Sequence, residues 1–127
     1  MLLTKAAILE SHDLHMESLE VPEWCGVVNV RVMSGIERDR WEGRLLDIEK
    51  TKSYDNLRAT LVAMTLCDAD GKRLFDDADI TALGNKSASA LSRVYEVALR
   101  INALTQAVRE ELAKNSDPSP GANSLSD

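Results

Sequence analysis

The stretch EVPEWCGVVNVRVMSGIERDRWE, Glu20 to Glu42, constrains the fold of this chain more than any other. It reads as a strand, a five-residue loop (Pro22 to Gly26), a second strand, and a capped helix that begins with almost no linker. In the first arm Glu17, Leu19 and Val21 share one face, while Ser18 and Glu20 share the other. In the second, Val28, Val30 and Val32 alternate with Asn29 and Arg31, the period of two of a half-buried strand. Pro22 fixes one dihedral of the loop, and Gly26 permits a positive one. Ser34 caps a helix opening at Gly35 or Ile36, and Glu37 stands three residues on, where a capping box places its acidic partner. An antiparallel hairpin over about 16–33 that runs straight into a helix follows from this order.

The rest of the chain is mostly helical in pattern. Residues 1–14 read as a leader arm, with a short strand or helical turn at Lys5 to Glu10. A first helix, 36–50, places Trp41, Leu45 and Ile48 on one face and a solvated mixture of charges on the other. A second, 55–66, is apolar on several sides through Leu57, Leu61, Val62, Met64 and Leu66, which makes it central in the core. Cys67 to Phe75 carries the turn signal Asp70-Gly71 between short arms and forms a small hairpin. Asp76, Asp77 and Asp79 lead a short helix over 77–83, stopped by Gly84. Asn85 or Ser87 caps the longest helix, 88–114, about 40 Å long, with Asn102 as the point where it would bend. Beyond it, NSDPSPGANSLSD cannot order itself by burial.

The expected architecture is therefore α+β: an N-terminal antiparallel β-hairpin packed on a mostly helical body with a long C-terminal helix. It forms a single domain over 1–114, followed by a disordered tail over 115–127. The core should contain Val30, Val32, Trp41, Leu45, Leu57, Leu61, Met64, Leu91, Val94 and Ala98.

Composition excludes several functions. Aromatic residues are 4% of the chain and the net charge is −6. Base-stacking platforms need exposed aromatics beside positive charge, and phosphate contact is dominated by Lys and Arg, so no nucleic-acid partner is expected. No apolar run approaches the ~20 residues that span a bilayer, and Lys5 interrupts the apolar start as no signal peptide would allow. The expected location is the cytoplasm, with Cys25 and Cys67 as free thiols.

Catalytic and metal chemistry find no support. The acidic cluster Asp68, Asp70, Asp76, Asp77 and Asp79 places Gly71 at the fourth position of a loop where a calcium site wants it at the sixth, and Lys72 and Arg73 follow. Turn formation and helix capping account for these residues. His12 and His15 with Cys25 and Cys67 lack the tight ligand spacing of a zinc site. There is no nucleophile elbow, and the glycines stand singly, so nothing cradles a phosphate. No catalytic residue, cofactor or metal is expected.

One pattern exceeds what a monomer needs. Leu91, Val94, Tyr95 and Ala98 form one apolar stripe of the last helix. Val97, Ile101, Leu104, Val108 and Leu112 form a second, displaced around the axis at near-heptad spacing. The second stripe is either a surface for another subunit or protein, or the sign of a helix broken near Asn102 whose halves pack on one core.

The run PEW-x-G through V-x-V-R-x-M-S-G-x-E-R-D resembles the opening of the tail assembly chaperones of long-tailed phages. NLRATLVAMTLCDADGKRLF and DDADITALGNKSASALSRVYEVALRIN continue in the same style, so the likeness covers roughly residues 8–114. The resemblance implies a protein that self-associates into spirals or rings and binds the tape measure protein, keeping it soluble before tail-tube subunits polymerise around it. It also implies that a frameshift appends a second domain to a minority of copies, for which the tail is the point of attachment. A structural head–tail or tail component retained in the virion is an alternative of similar size. A small regulatory or metal-binding domain is another.

Overall fold

The computed structural model describes residues 1–115. Three strands, β1 (Met16–Val21), β2 (Gly26–Arg31) and β3 (Leu66–Cys67), form an antiparallel sheet with β2 in the centre. Six helices accompany them among the described residues: α1 (Lys5–Glu10), α2 (Gly35–Thr51), α3 (Leu57–Thr65), α4 (Ile80–Gly84), α5 (Ala88–Ile101) and α6 (Thr105–Asn115). The α+β class and the hairpin at its start agree with the sequence reading. The segment expected as a tail, 115–127, lies outside the described residues apart from the backbone of Asn115.

The hairpin pairs Met16 with Arg31 through to Val21 with Gly26, and its alternation buries Val21 and Val30 against the helices. The turn is a single 3-10 turn, Pro22–Trp24. Gly26 was expected to take the positive dihedral, but Cys25 takes it instead, at φ 57°. Gly26 already belongs to the ladder, paired with Val21. β2 also ends one residue pair short of expectation. Val32 is only half-buried and Met33 enters the core in its place, because the chain leaves the sheet after Arg31 to start α2.

The capping box that begins α2 is present: the Glu37 N–H donates to Ser34 Oγ (3.3 Å), and the Ser34 N–H donates to Glu37 Oε1 (2.8 Å). Trp41, Leu45 and Ile48 face inward from it. The α3 helix is buried almost throughout, as its composition demanded, and packs against α5. Downstream, the Asp68 to Gly71 turn folds Arg73 back beside Cys67. The first arm of that small hairpin does more than expected, since Leu66 and Cys67 join β2 as the third strand. Gly84 does more than stop a helix: a Cβ there would collide with the Asn56 side chain, so α4 rests directly on the start of α3.

The single long C-terminal helix does not form. It ends at Ile101, turns through Asn102 and Ala103, and restarts as α6, which packs against α2. Ala103 sits in the left-handed region at φ 55°, a backbone state a continuous helix cannot contain.

Candidate partner-binding site

The break decides the fate of the second apolar stripe. Asn102 is buried and holds the turn with both ends of its amide. Its Nδ2 donates to the Ala98 carbonyl (3.0 Å), and its Oδ1 accepts from the Met33 N–H (2.7 Å) at the end of the hairpin. The Leu104 N–H donates to the Leu99 carbonyl (2.8 Å), so the chain redirects within three residues. Leu104 at 1% exposure and Val108 at 3% therefore enter the core. Val97 and Ile101 stay half-buried, packed on that core from α5. Leu112 is 40% exposed. The five residues do not share one face, because a stripe needs an unbroken axis.

Two of them nevertheless meet. Val108 and Leu112 line a cleft of about 350 Å³ between α5 and α6, closed on the other side by Tyr54 and Leu57 and floored by Tyr95 and Leu99. The Arg58 guanidinium lies 5.7 Å from the centre of the Tyr95 ring, within cation–π range. Burial pushes the Tyr95 phenol up from its ordinary range, only partly countered by Arg58, so it stays neutral. This is an aromatic and aliphatic surface with Arg58, Arg109 and Glu96 as its charged members.

A second concavity, about 360 Å³, lies at the hairpin turn and is lined by Trp24, Phe75, Ala82 and Leu83, with Asp79 and Lys86 as its charged members. Trp24 is presented by the 3-10 turn, which packs on α5. Arg93 Nε anchors that turn by donating to both oxygens of Glu23 (2.8 and 3.1 Å). The Glu23 carboxyl is held below its usual range by its own backbone N–H first, then by Ser89 and Arg93. Phe75 is positioned by its neighbours: Arg73 Nε donates to the Ala63 carbonyl (3.0 Å), and Asp76 caps the turn that follows. Sequence reasoning missed this groove, since Trp24 and Phe75 lie in separate loops. The available signal was that three of only five aromatic residues, Trp24, Tyr54 and Phe75, stand in turns and loops rather than on a helix or strand face.

The acidic residues serve the backbone. Asp68 Oδ1 accepts from the N–H groups of Asp70 (2.8 Å) and Lys72 (3.0 Å), and Asp76 and Asp79 cap one another's turn. Cys25 is exposed and Cys67 buried, both as free thiols. Burial pushes the Cys67 thiol up, with Arg31 opposing. His12 and His15 lie exposed on the arm before β1. Among the described residues no three His, Cys, Asp or Glu side chains converge as a metal site would require.

The sequence profile of phage tail assembly chaperones matches residues 3–115. The chain belongs to the phage tail assembly chaperone family. No curated protein matches it by sequence. The fold of this family member is similar to that in the structure of the bacteriophage HK97 tail assembly chaperone, with a TM-score of 0.56 at 24% identity. The likeness covers 76% of this chain and 88% of that one. At that identity the second comparison speaks to the fold alone. No described helix of this tail assembly chaperone is long and apolar enough to cross a membrane.

Proposed function

We propose that this protein self-associates in the cytoplasm of the bacterial host and coats the tape measure protein, keeping it soluble during tail morphogenesis. Membership of the tail assembly chaperone family supports the setting. The observation that carries the reading is the apolar surface left uncovered on a domain of this size: two concavities and an exposed arm. A small protein whose only task is to fold would cover such surface; large uncovered apolar patches mark interaction sites.

The cleft of Val108, Leu112, Tyr54, Tyr95 and Leu99 is the client surface in this proposal. It suits one apolar face of a long helix laid across it, the helix-in-groove mode. Many copies along one client would then mask its apolar stripe repeat by repeat. No catalytic step is needed, and none is assigned.

Co-expression with the tape measure gene of the same genome tests the reading. The tape measure protein should move to the soluble fraction with the wild-type chain and return to the pellet with Leu112→Asp, which changes only a surface residue. An insoluble client in the presence of wild-type protein would overturn it. The competing reading, a structural subunit retained in the particle, requires the protein to appear in purified virions by mass spectrometry. The chaperone reading requires it to be absent.

A further inference from the structure

The cleft between α5 and α6 does not end at Tyr54. A smaller concavity, about 170 Å³, continues it: Tyr54, Leu57 and Arg58 line both, and the second runs on to Gly84, Lys86 and Ala88. One stripe of α5 serves the whole groove. Ala88, Leu91, Tyr95 and Leu99 recur at i, i+3, i+7 and i+11, which is about three turns or about 16 Å of helix. Val108 and Leu112 extend the apolar lining on α6.

The groove differs in charge from the molecule that carries it. The chain has 21 Asp and Glu against 15 Lys and Arg, a net charge of −6. Along the groove the balance is reversed, with Lys86, Arg58 and Arg109 against Glu96 alone. All four side chains are exposed. Six other Lys and Arg residues are held in ion pairs, but these three make none among the described residues. Arg58 lies over the Tyr95 ring instead. Lys86 also borders the concavity at the hairpin turn, where Asp79 Oδ2 is engaged by the Asp76 N–H (2.9 Å). The cations are spread along the stripe: Lys86 at the Ala88 end, Arg58 at the join, Arg109 in the half shared with α6.

We propose that this groove selects a helix whose apolar stripe is flanked by Asp and Glu. The inference rests on the cleft as the client surface of the proposed function and adds the class of sequence that the cleft takes. Apolar burial is non-directional and accepts any apolar stripe. Discrimination comes from the flanking charge, because opposite charges across an interface fix partner and register while like charges repel. This preference opposes the field of the whole molecule. A protein of net charge −6 attracts basic partners at long range, whereas the groove itself favours acidic ones.

Fluorescence anisotropy on the full chain tests it with two labelled synthetic helices, sharing one Leu stripe that is flanked by Glu in the first and by Lys in the second. The Glu-flanked helix should bind about tenfold more tightly at low salt. That gap should close as salt screens the exposed charges. Lys86→Glu with Arg109→Glu should reverse the preference while circular dichroism stays unchanged, since both side chains are exposed. Leu112→Ser should weaken both helices alike and leave the preference intact. Equal affinity for the two helices would overturn the proposal, and so would a preference that survives the charge reversal or binding indifferent to Leu112→Ser. Binding of neither helix would mean that the groove is filled from this chain or a second copy, and would overturn it too. Any of these results beside a tape measure protein kept soluble by the wild type would leave the proposed function standing. An insoluble tape measure protein beside a chain that discriminates the two helices would overturn that client and keep the preference of the groove.

Discussion

Arg31 sits at the end of β2 with its side chain folded inward. Its Nη2 donates to both oxygens of Glu37 (2.8 and 2.7 Å) and its Nη1 to the Gly71 carbonyl (3.1 Å). Gly71 offers that carbonyl from a left-handed turn at φ 84° that a glycine adopts without strain. Burial alone would raise the Glu37 carboxyl, but the Ser34 N–H and the Arg31 guanidinium outweigh it and hold it below the usual carboxylate range. One residue thus closes the capping box, neutralises a buried cation and ties sheet to helix. Removing it in Glu37→Ala strands a buried guanidinium, which costs about 3–5 kcal/mol. Urea unfolding should show that loss, and Arg31→Met in the same chain should restore most of it. The pH dependence has a defined sign. The folded pKa lies below the unfolded value of about 4.3, so the stabilisation is complete above roughly pH 5 and lost as pH falls through the folded value. Glu37→Gln should flatten that part of the acid limb of a melting-temperature profile.

At the scale of elements, the junction between α5 and α6 is where the sequence pattern and the structure part. Asn102 serves two elements at once, capping α5 and receiving the Met33 N–H from the strand–helix junction. Arg38 Nη1 adds a third link by donating to the Asn102 carbonyl (3.3 Å). Asn102→Ala should therefore cost about 1–3 kcal/mol, the penalty for a buried N–H left without an acceptor. Ala103→Gly should have the opposite sign: removing the Cβ from a left-handed residue raises stability by up to about 1 kcal/mol. Thermal unfolding of the two variants separates them. Were the junction a passive bend, neither change would register.

For the molecule as a whole, the core runs from the sheet through α3 and α5 to the restarted α6. Leu61 lies at its centre, and Leu61→Ala should cost about 2–5 kcal/mol. Leu104 lies in the same core, so Leu104→Glu would bury an unpaired carboxylate and should unfold the chain. It should not simply separate copies, as a contact residue would. Circular dichroism of that variant distinguishes the two: a folded monomer would return Leu104 to the interface.

Wherever one neighbour decides a residue's role, the sequence was enough. The alternation of the hairpin, the Ser34–Glu37 box, the buried face of α2 and the apolar bulk of α3 are local relations, set by periods of two and 3.6 and by contacts three or four residues apart. The order of short motifs also pointed to the family. Tertiary structure decided whatever depended on distant partners. Arg31 reads as an outward strand residue until Glu37 and Gly71 surround it. Leu66 reads as a helix end and Cys67 as the start of a small separate hairpin until β2 offers both a ladder. The apolar stripe of Val97, Ile101, Leu104, Val108 and Leu112 reads as one face only on a straight axis. Met33 lies 69 positions from Asn102, yet its N–H helps fix the turn that breaks that axis and sends Leu104 and Val108 inward.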